Sequence, residues 1–261
     1  MQKQVEQAIS KATSEAGENL QQDITNQILK ALEDFKNINI IPLPCHRPTF
    51  RNQMVITESG IYKLDNENFI FYSTGILPDN DLKSYLKETM NVERKSGRSG
   101  FGIKPRKEVC YSPDGKPYVY SNISHPTKKY PNHVTRILKY FLDFATKSCS
   151  DEGLPKNPYI KLSSGVDIIY DNSFPLGGSI SAHKDDEEDW GMVIVFSLGQ
   201  TRYLRVRGDD DGSWYNVEMV HNSVTVMYGP SFQKNYTHQV DKLNPNDKVG
   251  ARLSLNMRYK K

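Results

Sequence analysis

The sequence predicts a mainly β fold with flanking helices, in the form of an all-β barrel or a jelly roll. The first observation is that the chain after Asn157 becomes a series of short segments with strand character. The second is that Gly, Asn and Asp turns separate these segments, as in barrels and jelly rolls. The third is that apolar residues upstream recur at helical spacing. The candidate strands are residues 159–170, 192–197, 202–206, 214–219, 223–228 and 252–259.

Upstream of these strands we expect helices and a hairpin. Residues 1–37 are predicted to be helical, and this stretch holds no obvious chemistry. The segment GIYKLDNENFIFYST predicts a hairpin with its turn near Asp65. Asp79 is expected to cap a short helix that continues through Leu86. A longer helix with one apolar face is expected after Pro131.

The composition bounds the class of protein. The chain has 261 residues with a net charge of +3, and its mean hydropathy is -0.64. No apolar run approaches the roughly 20 residues that span a bilayer, and no secretory pattern is visible at the N-terminus. Three widely spaced cysteines suit reduced thiols with structural roles. We therefore expect no membrane partner and an intracellular location, in the nucleus or the cytoplasm.

Positive charge is concentrated in residues 82–107. Glycines within this stretch predict a flexible basic loop at residues 93–104. Such a stretch is typical of a phosphate-binding surface, but a solvated loop explains it equally well. The basic residues are Lys83, Lys87, Arg94, Lys95, Arg98, Lys104, Arg106 and Lys107.

A candidate metal site begins with the HKD motif formed by His183 and Asp185. In an extended segment, alternation puts these two side chains on one face, where they can share a metal. His238, near the start of another candidate strand, is the expected third ligand. Two imidazoles and one carboxylate form the facial triad of non-haem Fe(II) oxygenases, which leaves positions open for a co-substrate and O2. The alternative is a solvated acidic turn, and we expect His221 to be structural.

The C-terminal segment RLSLNMR supplies a possible anion site. Arg252 and Arg258 lie six positions apart, so both face one side of a strand. Two arginines at this spacing can bind the two carboxylates of a dicarboxylic acid. They could instead face solvent from an edge strand. The apolar residues that alternate with them favour burial in a barrel, where the arginines need anionic partners.

The order of these motifs resembles the AlkB family of Fe(II)/2-oxoglutarate dioxygenases. The family pattern Asn-x-Tyr, HxD, distal His and Arg-x5-Arg corresponds to Asn172-Ser-Phe174, HKD, His238 and RLSLNMR, in order. FSLG and HNSVTVMYG are also similar to family segments. Upstream, PRKEVCYSPDGKPYVYS resembles a segment that forms the base-pocket lid and wall in DNA-repair members, and HKDDE resembles their HxDDE signature. Phe174 replaces the family tyrosine and lacks its hydroxyl.

The resemblance implies a double-stranded β-helix (jelly-roll) core and a division of the chain. We expect an N-terminal helical extension at residues 1–45 and an AlkB-like dioxygenase domain at 46–261. Within that domain, residues 46–156 are expected to form the lid and supporting helices, and residues 157–261 the jelly-roll core.

The resemblance also assigns roles to individual residues. The expected cofactors are Fe(II) and 2-oxoglutarate, with His183, Asp185 and His238 as metal ligands. The residues expected to bind 2-oxoglutarate are Asn172, Phe174, Arg252, Ser254, Asn256 and Arg258. The residues expected to bind the substrate are Phe101, Arg106, Tyr118, Tyr120, Ser121, Asp186 and Glu187. Of these, Tyr118 and Tyr120 could instead be core aromatics, and Phe101 could be a buried loop anchor rather than a wedge between bases.

The implied activity is oxidative demethylation of N-alkylated bases in DNA or RNA, as DNA repair or RNA demethylation. The reaction consumes 2-oxoglutarate and O2 and releases formaldehyde, succinate and CO2. A base inside a duplex must be flipped out, or supplied single-stranded, to reach the metal. A monomer is expected. The alternatives are a 2-oxoglutarate dioxygenase that hydroxylates a protein or small molecule, and a catalytically silent binding module on the same fold.

Overall fold

Two large β-sheets form the framework of the fold. The computed structural model describes residues 40–46, 48–50, 53–99, 102–120, 123–154, 161–170, 178–185 and 190–260. The predicted N-terminal helices lie outside these residues. The strands within the described ranges are β1 (Met54–Ile56), β2 (Gly60–Lys63), β3 (Phe69–Thr74), β4 (Lys95–Ser99), β5 (Gly102–Ser112), β6 (Tyr118–Tyr120), β7 (Ile123–His125), β8 (Thr127–Lys129), β9 (Lys161–Tyr170), β10 (Ile180–His183), β11 (Trp190–Gly199), β12 (Arg202–Gly208), β13 (Trp214–Met219), β14 (Ser223–Tyr228), β15 (Tyr236–Val240) and β16 (Arg252–Lys260).

The eight strands from β9 to β16 form a double-stranded β-helix. Four of them lie side by side in one sheet in the order β14-β11-β16-β9. The other four lie in the second sheet in the order β13-β12-β15-β10. All six neighbouring pairs are antiparallel. The chain passes repeatedly from one sheet to the other, which is the jelly-roll arrangement. The predicted fold class is therefore confirmed.

Most of the other strands extend these two sheets at their edges, while β6 and β7 form a separate two-stranded sheet. The hairpin β2–β3 joins the larger sheet beside β14, and β5 and β4 extend it beyond β9, while β1 pairs with β13 in the smaller sheet. The β2–β3 hairpin is as predicted. Its turn is closed by the Asp65 carboxylate, which accepts hydrogen bonds from the backbone N–H groups of Glu67 and Asn68 at 2.7 and 2.8 Å.

Three helices occur within the described residues: α1 (Asp79–Met90), α2 (Asn132–Asp151) and α3 (Phe232–Asn235). The helix predicted after Pro131 is α2, and it buries the apolar face that includes Val134, Ile137 and Phe141. The cap predicted for α1 is wrong. Asp79 is the first helical residue, and Pro78 takes the N-cap position without a side-chain cap.

The flexible loop predicted at residues 93–104 is also wrong. Most of this segment belongs to the hairpin of β4 and β5, in which Lys95 pairs with Glu108 and Ser96 with Lys107. β4 is an edge strand, and charged side chains are common on edges because they discourage pairing with another chain. High charge therefore did not exclude a strand at this position.

Alternation along β11 divides the core in two. Ile194 and Phe196 face a cluster shared with α1 and α2, where Phe196 packs on Phe141 with ring centroids 4.8 Å apart. Val193 and Val195 face the space between the sheets and join a second cluster. Apolar side chains thus fill part of the interior of the jelly roll, and polar side chains can occupy the rest.

The three cysteines, Cys45, Cys110 and Cys149, are all free thiols, and the last two are buried. Among the helices in the described ranges, none combines the length and apolar character needed to cross a bilayer.

Gly199 lies at the end of β11, where the neighbouring backbone leaves no room for a side chain. Its φ is 84°, and an added Cβ would lie 2.2 Å from the Ala251 carbonyl oxygen. We expect Gly199→Ala to lower the free energy of unfolding by about 3 kcal/mol, because it combines a strained φ with a backbone clash. Gly212→Ala is the matched control, since its φ is 65° with no atom within 4 Å of the added Cβ, and it should cost about 1 kcal/mol. Urea denaturation measures both, and equal losses would contradict the clash.

Candidate metal centre

Two histidines face each other across adjacent strands of the smaller sheet. His183 is the last residue of β10, and His238 lies in the middle of β15. The antiparallel register pairs them directly, which brings their ring centroids to 4.3 Å with planes inclined by 53°. Facing positions on neighbouring antiparallel strands share one side of a sheet, so the register itself brings the two imidazoles together.

Asp185 also lies close to the two histidines, but strand alternation does not position it as expected. Strand alternation was predicted to align it with His183, but β10 ends at His183 and Asp185 lies beyond the strand. Two contacts place it. Its backbone N–H donates to Gln233 Oε1 at 3.1 Å, and its Oδ1 accepts a hydrogen bond from Arg258 Nη2 at 2.7 Å. The carboxylate is buried, with 1% of its side chain exposed.

The three side chains have the geometry and the free atoms of a metal site. One potential ligand atom from each of His183, Asp185 and His238 lies within 4.8 Å of the other two. Asp185 Oδ2 and His238 Nδ1 are buried and have no hydrogen-bond partner among the described residues, which is costly unless a ligand completes them. His183 Nδ1 lies 2.9 Å from the Ser181 carbonyl oxygen. A carbonyl only accepts, so this Nδ1 is a donor and the lone pair lies on Nε2. The residues fit a divalent metal.

The charge states of the buried groups also suit a metal. Burial alone raises the pKa of Asp185, but the charge of Arg258, with smaller contributions from His238 and His183, lowers it to about 2. Burial lowers the pKa of His238 to about 3, and neighbouring His183 adds to that effect. At neutral pH the site therefore holds an ionised carboxylate and an unprotonated His238. Metals bind these forms.

A row of polar side chains on β16 faces the same interior. Arg252, Ser254, Asn256 and Arg258 alternate with Leu253, Leu255, Met257 and Tyr259, and the second set packs in the core shared with α1 and α2. Arg252 is 1% exposed, and its Nη2 donates to Ser197 Oγ at 2.9 Å. Ser254 Oγ lies 3.3 Å from Asn256 Oδ1. The expected alternation is confirmed, and both arginines lie inside the barrel rather than on an exposed edge.

The sequence did not predict three residues that contact the site. Ser197 contacts Arg252, Gln233 contacts the Asp185 backbone, and Lys184 contacts Asp209 and the Lys234 carbonyl. Ser197 and Gln233 lie far from their partners in the chain, so no local pattern connects them. Lys184 could have been considered, because it lies between the first two predicted ligands.

The remaining predicted residues are placed only in part. The backbone of Arg106 lies in β5, and those of Tyr118 and Tyr120 lie in β6. The other predicted positions lie outside the described residues: Phe101, Ser121, Asn172, Phe174, Asp186 and Glu187. His221, expected to be structural, accepts a hydrogen bond from the Gly199 N–H at 2.9 Å through Nδ1, and burial lowers its pKa.

A jelly roll that gathers two histidines and one aspartate around an open position defines the class of non-haem metal oxygenases. The chain belongs to the 2OG-Fe(II) oxygenase superfamily, which matches it over residues 80–258. Enzymes of this superfamily are oxidoreductases that use Fe(II), 2-oxoglutarate and O2, and the His-Asp-His cluster agrees with that cofactor set. No curated protein matches the chain by sequence.

Solved structures resemble this protein in fold at low sequence identity. A 2OG-Fe(II) oxygenase family oxidoreductase from Burkholderia pseudomallei has a TM-score of 0.53 and 12% identity, over 80% of this chain and 95% of that one. OsALKBH1 has a TM-score of 0.52 and 15% identity, over 72% and 97%. A prolyl-4-hydroxylase from Pseudomonas putida has a TM-score of 0.49 and 15% identity, over 75% and 94%. The first two share the fold.

The Arg258–Asp185 pair predicts a pH-dependent contribution to stability in the metal-free protein. The folded pKa of Asp185, about 2, lies below its ordinary value of 3.8. The contribution, about 2 kcal/mol, is therefore complete above pH 3.8 and is lost as the pH falls through 2. Arg258→Met should raise the pKa of Asp185 well above 3.8, since burial then acts without the guanidinium. Carboxyl NMR titration measures it. Arg252→Met is the control, and it should leave the Asp185 pKa near 2.

Proposed function

We propose that this oxygenase removes alkyl groups from N-alkylated bases in DNA or RNA. What carries the proposal is the combination of AlkB-like motifs in one chain: HKDDE at the metal centre, the Arg-x5-Arg strand, and the PRK…YVYS segment upstream. The register supports their proximity. Arg106 in β5 pairs with Tyr170 in β9, and Tyr170 pairs with Arg252 in β16. β5, which carries Arg106, thus lies two strands from β16, which carries Arg252.

We assign the metal to His183, Asp185 and His238. The two imidazoles and the carboxylate would hold the ion, and in non-haem Fe(II) oxygenases this set of ligands leaves positions for a co-substrate and O2. When bound, Fe(II) supplies the redox chemistry that activates O2 for attack on the N-alkyl group. Arg258 holds the Asp185 carboxylate ionised and oriented through its 2.7 Å contact, so no proton has to leave this ligand when the metal binds.

We assign 2-oxoglutarate to the polar face of β16. Arg252 and Arg258 would bind its carboxylates, with Ser254 and Asn256 between them on the same face. Asn172 and Phe174 remain part of this assignment from the sequence. Arg252 is almost fully buried, and a guanidinium on this interior face can bind a carboxylate bidentately. Ser197 orients that guanidinium from the neighbouring strand.

We assign the alkylated base to the residues that resemble the base pocket of the repair enzymes and to the two acids that follow HKD in the sequence. The proposed contacts come from a basic residue, aromatic rings, a hydroxyl and two acids, which together can stack on a base and hydrogen-bond its edge. They are Phe101, Arg106, Tyr118, Tyr120, Ser121, Asp186 and Glu187.

The proposed reaction balances as a coupled oxidation. 2-Oxoglutarate loses CO2 and becomes succinate, one oxygen atom of O2 enters succinate, and the other converts the N-methyl group to N-hydroxymethyl. The hydroxymethyl group then leaves as formaldehyde, and the nitrogen regains its hydrogen. The protein excludes water and fixes the geometry. We propose that it acts as a monomer within the cell, in the nucleus or the cytoplasm, where its three free thiols stay reduced.

The test is a product assay across methylated DNA and RNA oligonucleotides, both single- and double-stranded. The enzyme is supplied with Fe(II), 2-oxoglutarate and O2, and mass spectrometry follows loss of the methyl group while formaldehyde and succinate are quantified. We expect equal amounts of formaldehyde and demethylated base with at least one substrate. Oligonucleotide binding should weaken steeply with salt, because phosphate contacts release counterions.

His183→Ala is the matched control, and it should abolish turnover while circular dichroism shows a folded protein. Full activity in this variant would remove the metal assignment. Succinate formation without demethylation of any oligonucleotide, together with binding insensitive to salt, would instead favour a protein or small-molecule substrate.

Arg252 gives a separate test of the co-substrate assignment. Arg252→Lys keeps the charge but loses the planar fork that binds a carboxylate bidentately. We expect the KM for 2-oxoglutarate to rise about tenfold or more, since one bidentate contact contributes about 1.5–3 kcal/mol. Succinate release at increasing 2-oxoglutarate measures it. Lys242→Met, at an exposed position, is the control, and an unchanged KM in Arg252→Lys would contradict the assignment.

A further inference from the structure

The residue between the first two metal ligands is anchored on both sides. The Lys184 ammonium contacts the backbone carbonyl oxygen of Lys234, and it also forms an ion pair with the Asp209 carboxylate. About a third of the Lys184 and Asp209 side chains is exposed, so this ion pair is partly open to solvent, unlike the buried Asp185 carboxylate. These contacts fix the turn that separates His183 from Asp185.

A second anchor acts on the backbone of Asp185 itself. The side chain of Gln233 is buried, and its Oε1 accepts the Asp185 N–H at 3.1 Å. Gln233 and Lys234 are neighbours in the short helix α3, which runs directly into β15 and His238. The segment from Gln233 to His238 therefore contacts the turn that carries the first two ligands and supplies the third.

Asp209, in the turn that follows β12, also contacts this segment. Its backbone N–H donates to the Asn235 carbonyl oxygen at 3.0 Å, and its Oδ1 accepts a hydrogen bond from Thr237 Oγ1, also at 3.0 Å. Its other carboxylate oxygen contacts Lys184. Asp209 thus holds both ends of the junction between α3 and β15, and it holds Lys184 from the same side.

We infer that Lys184, Gln233 and Asp209 are positioning residues that set the metal ligands in place before the metal binds. The inference rests on the proposed metal role of His183, Asp185 and His238. β10 ends at His183, so Asp185 lies beyond the hydrogen-bond ladder that fixes both histidines. Its placement depends on side-chain contacts instead. A metal site tolerates displacements of only about 0.5 Å, which makes these contacts consequential.

The experiment measures metal binding by the full-length, metal-free protein, with Co(II) alone as the probe. Visible absorption reports both the affinity for Co(II) and the geometry of its ligands. Lys184→Met keeps the length of the side chain and removes both polar contacts. We expect it to weaken Co(II) binding about tenfold, as is usual when a partner of a metal ligand is lost, and to change the absorption spectrum. Gln233→Met should do the same by releasing the Asp185 N–H.

Two comparisons separate positioning from general destabilisation. Lys184→Arg keeps the cation and should recover most of the Co(II) affinity and the spectrum. Lys234→Met is the matched control and should bind Co(II) as the wild type does, because only the backbone carbonyl of Lys234 makes the contact. If Lys184→Met does not fold, Asp209→Asn removes the ion pair from the other side and should weaken Co(II) binding in the same way.

The possible outcomes distinguish this inference from the proposed function. If the wild type binds Co(II) and His183→Ala does not, but Lys184→Met, Gln233→Met and Asp209→Asn all bind with wild-type affinity and spectrum, only the inference is overturned. If His183→Ala binds Co(II) as tightly as the wild type, the proposed metal centre fails, and the inference fails with it. Weaker binding and altered spectra in the folded variants, with recovery in Lys184→Arg, support it.

Discussion

The alternation of apolar and polar residues along β16 supports both the core and the candidate site. Every second residue of β16 packs against the helices, and the residues between them face the interior with Arg252 and Arg258 at either end. A shift of one residue in its pairing with β11 would exchange the two sets and bury both arginines among apolar side chains. The energetic cost of burying a charge there is large, so the register of β16 is strongly specified. The register of β16 therefore determines which of its polar side chains face the interior of the jelly roll.

The ion pair of Arg258 with Asp185 links this strand to the metal centre. Asp185 lies beyond the end of β10 and is almost fully buried, where an unpaired carboxylate would take up a proton. The guanidinium keeps it ionised, and within the described ranges its second oxygen has no hydrogen-bond partner. The interior of the jelly roll is therefore divided. Apolar residues such as Val193 and Val206 fill one part, while charge and hydrogen-bonding groups occupy the part near the three proposed ligands.

The sequence predicted those features that repeat along a strand or follow a motif. Period-two alternation located β16 and both arginines, and the helical repeat located α2. Contacts between distant residues that no motif marks were not predictable. Asp185 was expected on a strand, but it is placed by Gln233, 48 positions later in the chain. The basic segment at residues 93–104 was expected to be a loop, because its composition does not reveal that β5 offers it a backbone to pair with. The partner of Arg252, Ser197, becomes visible only once β11 and β16 lie side by side.

The burial of the cysteines has a consequence for a protein that handles O2. Oxidants attack the thiolate rather than the thiol. Burial raises the pKa of Cys149 to about 11, and that of Cys45 to the same range. At neutral pH, only about one in ten thousand of either thiol is then ionised. The fold thus keeps these two thiols in the protonated form, which oxidants attack slowly. Their reaction with an alkylating reagent would report local opening of the protein long before any loss of secondary structure.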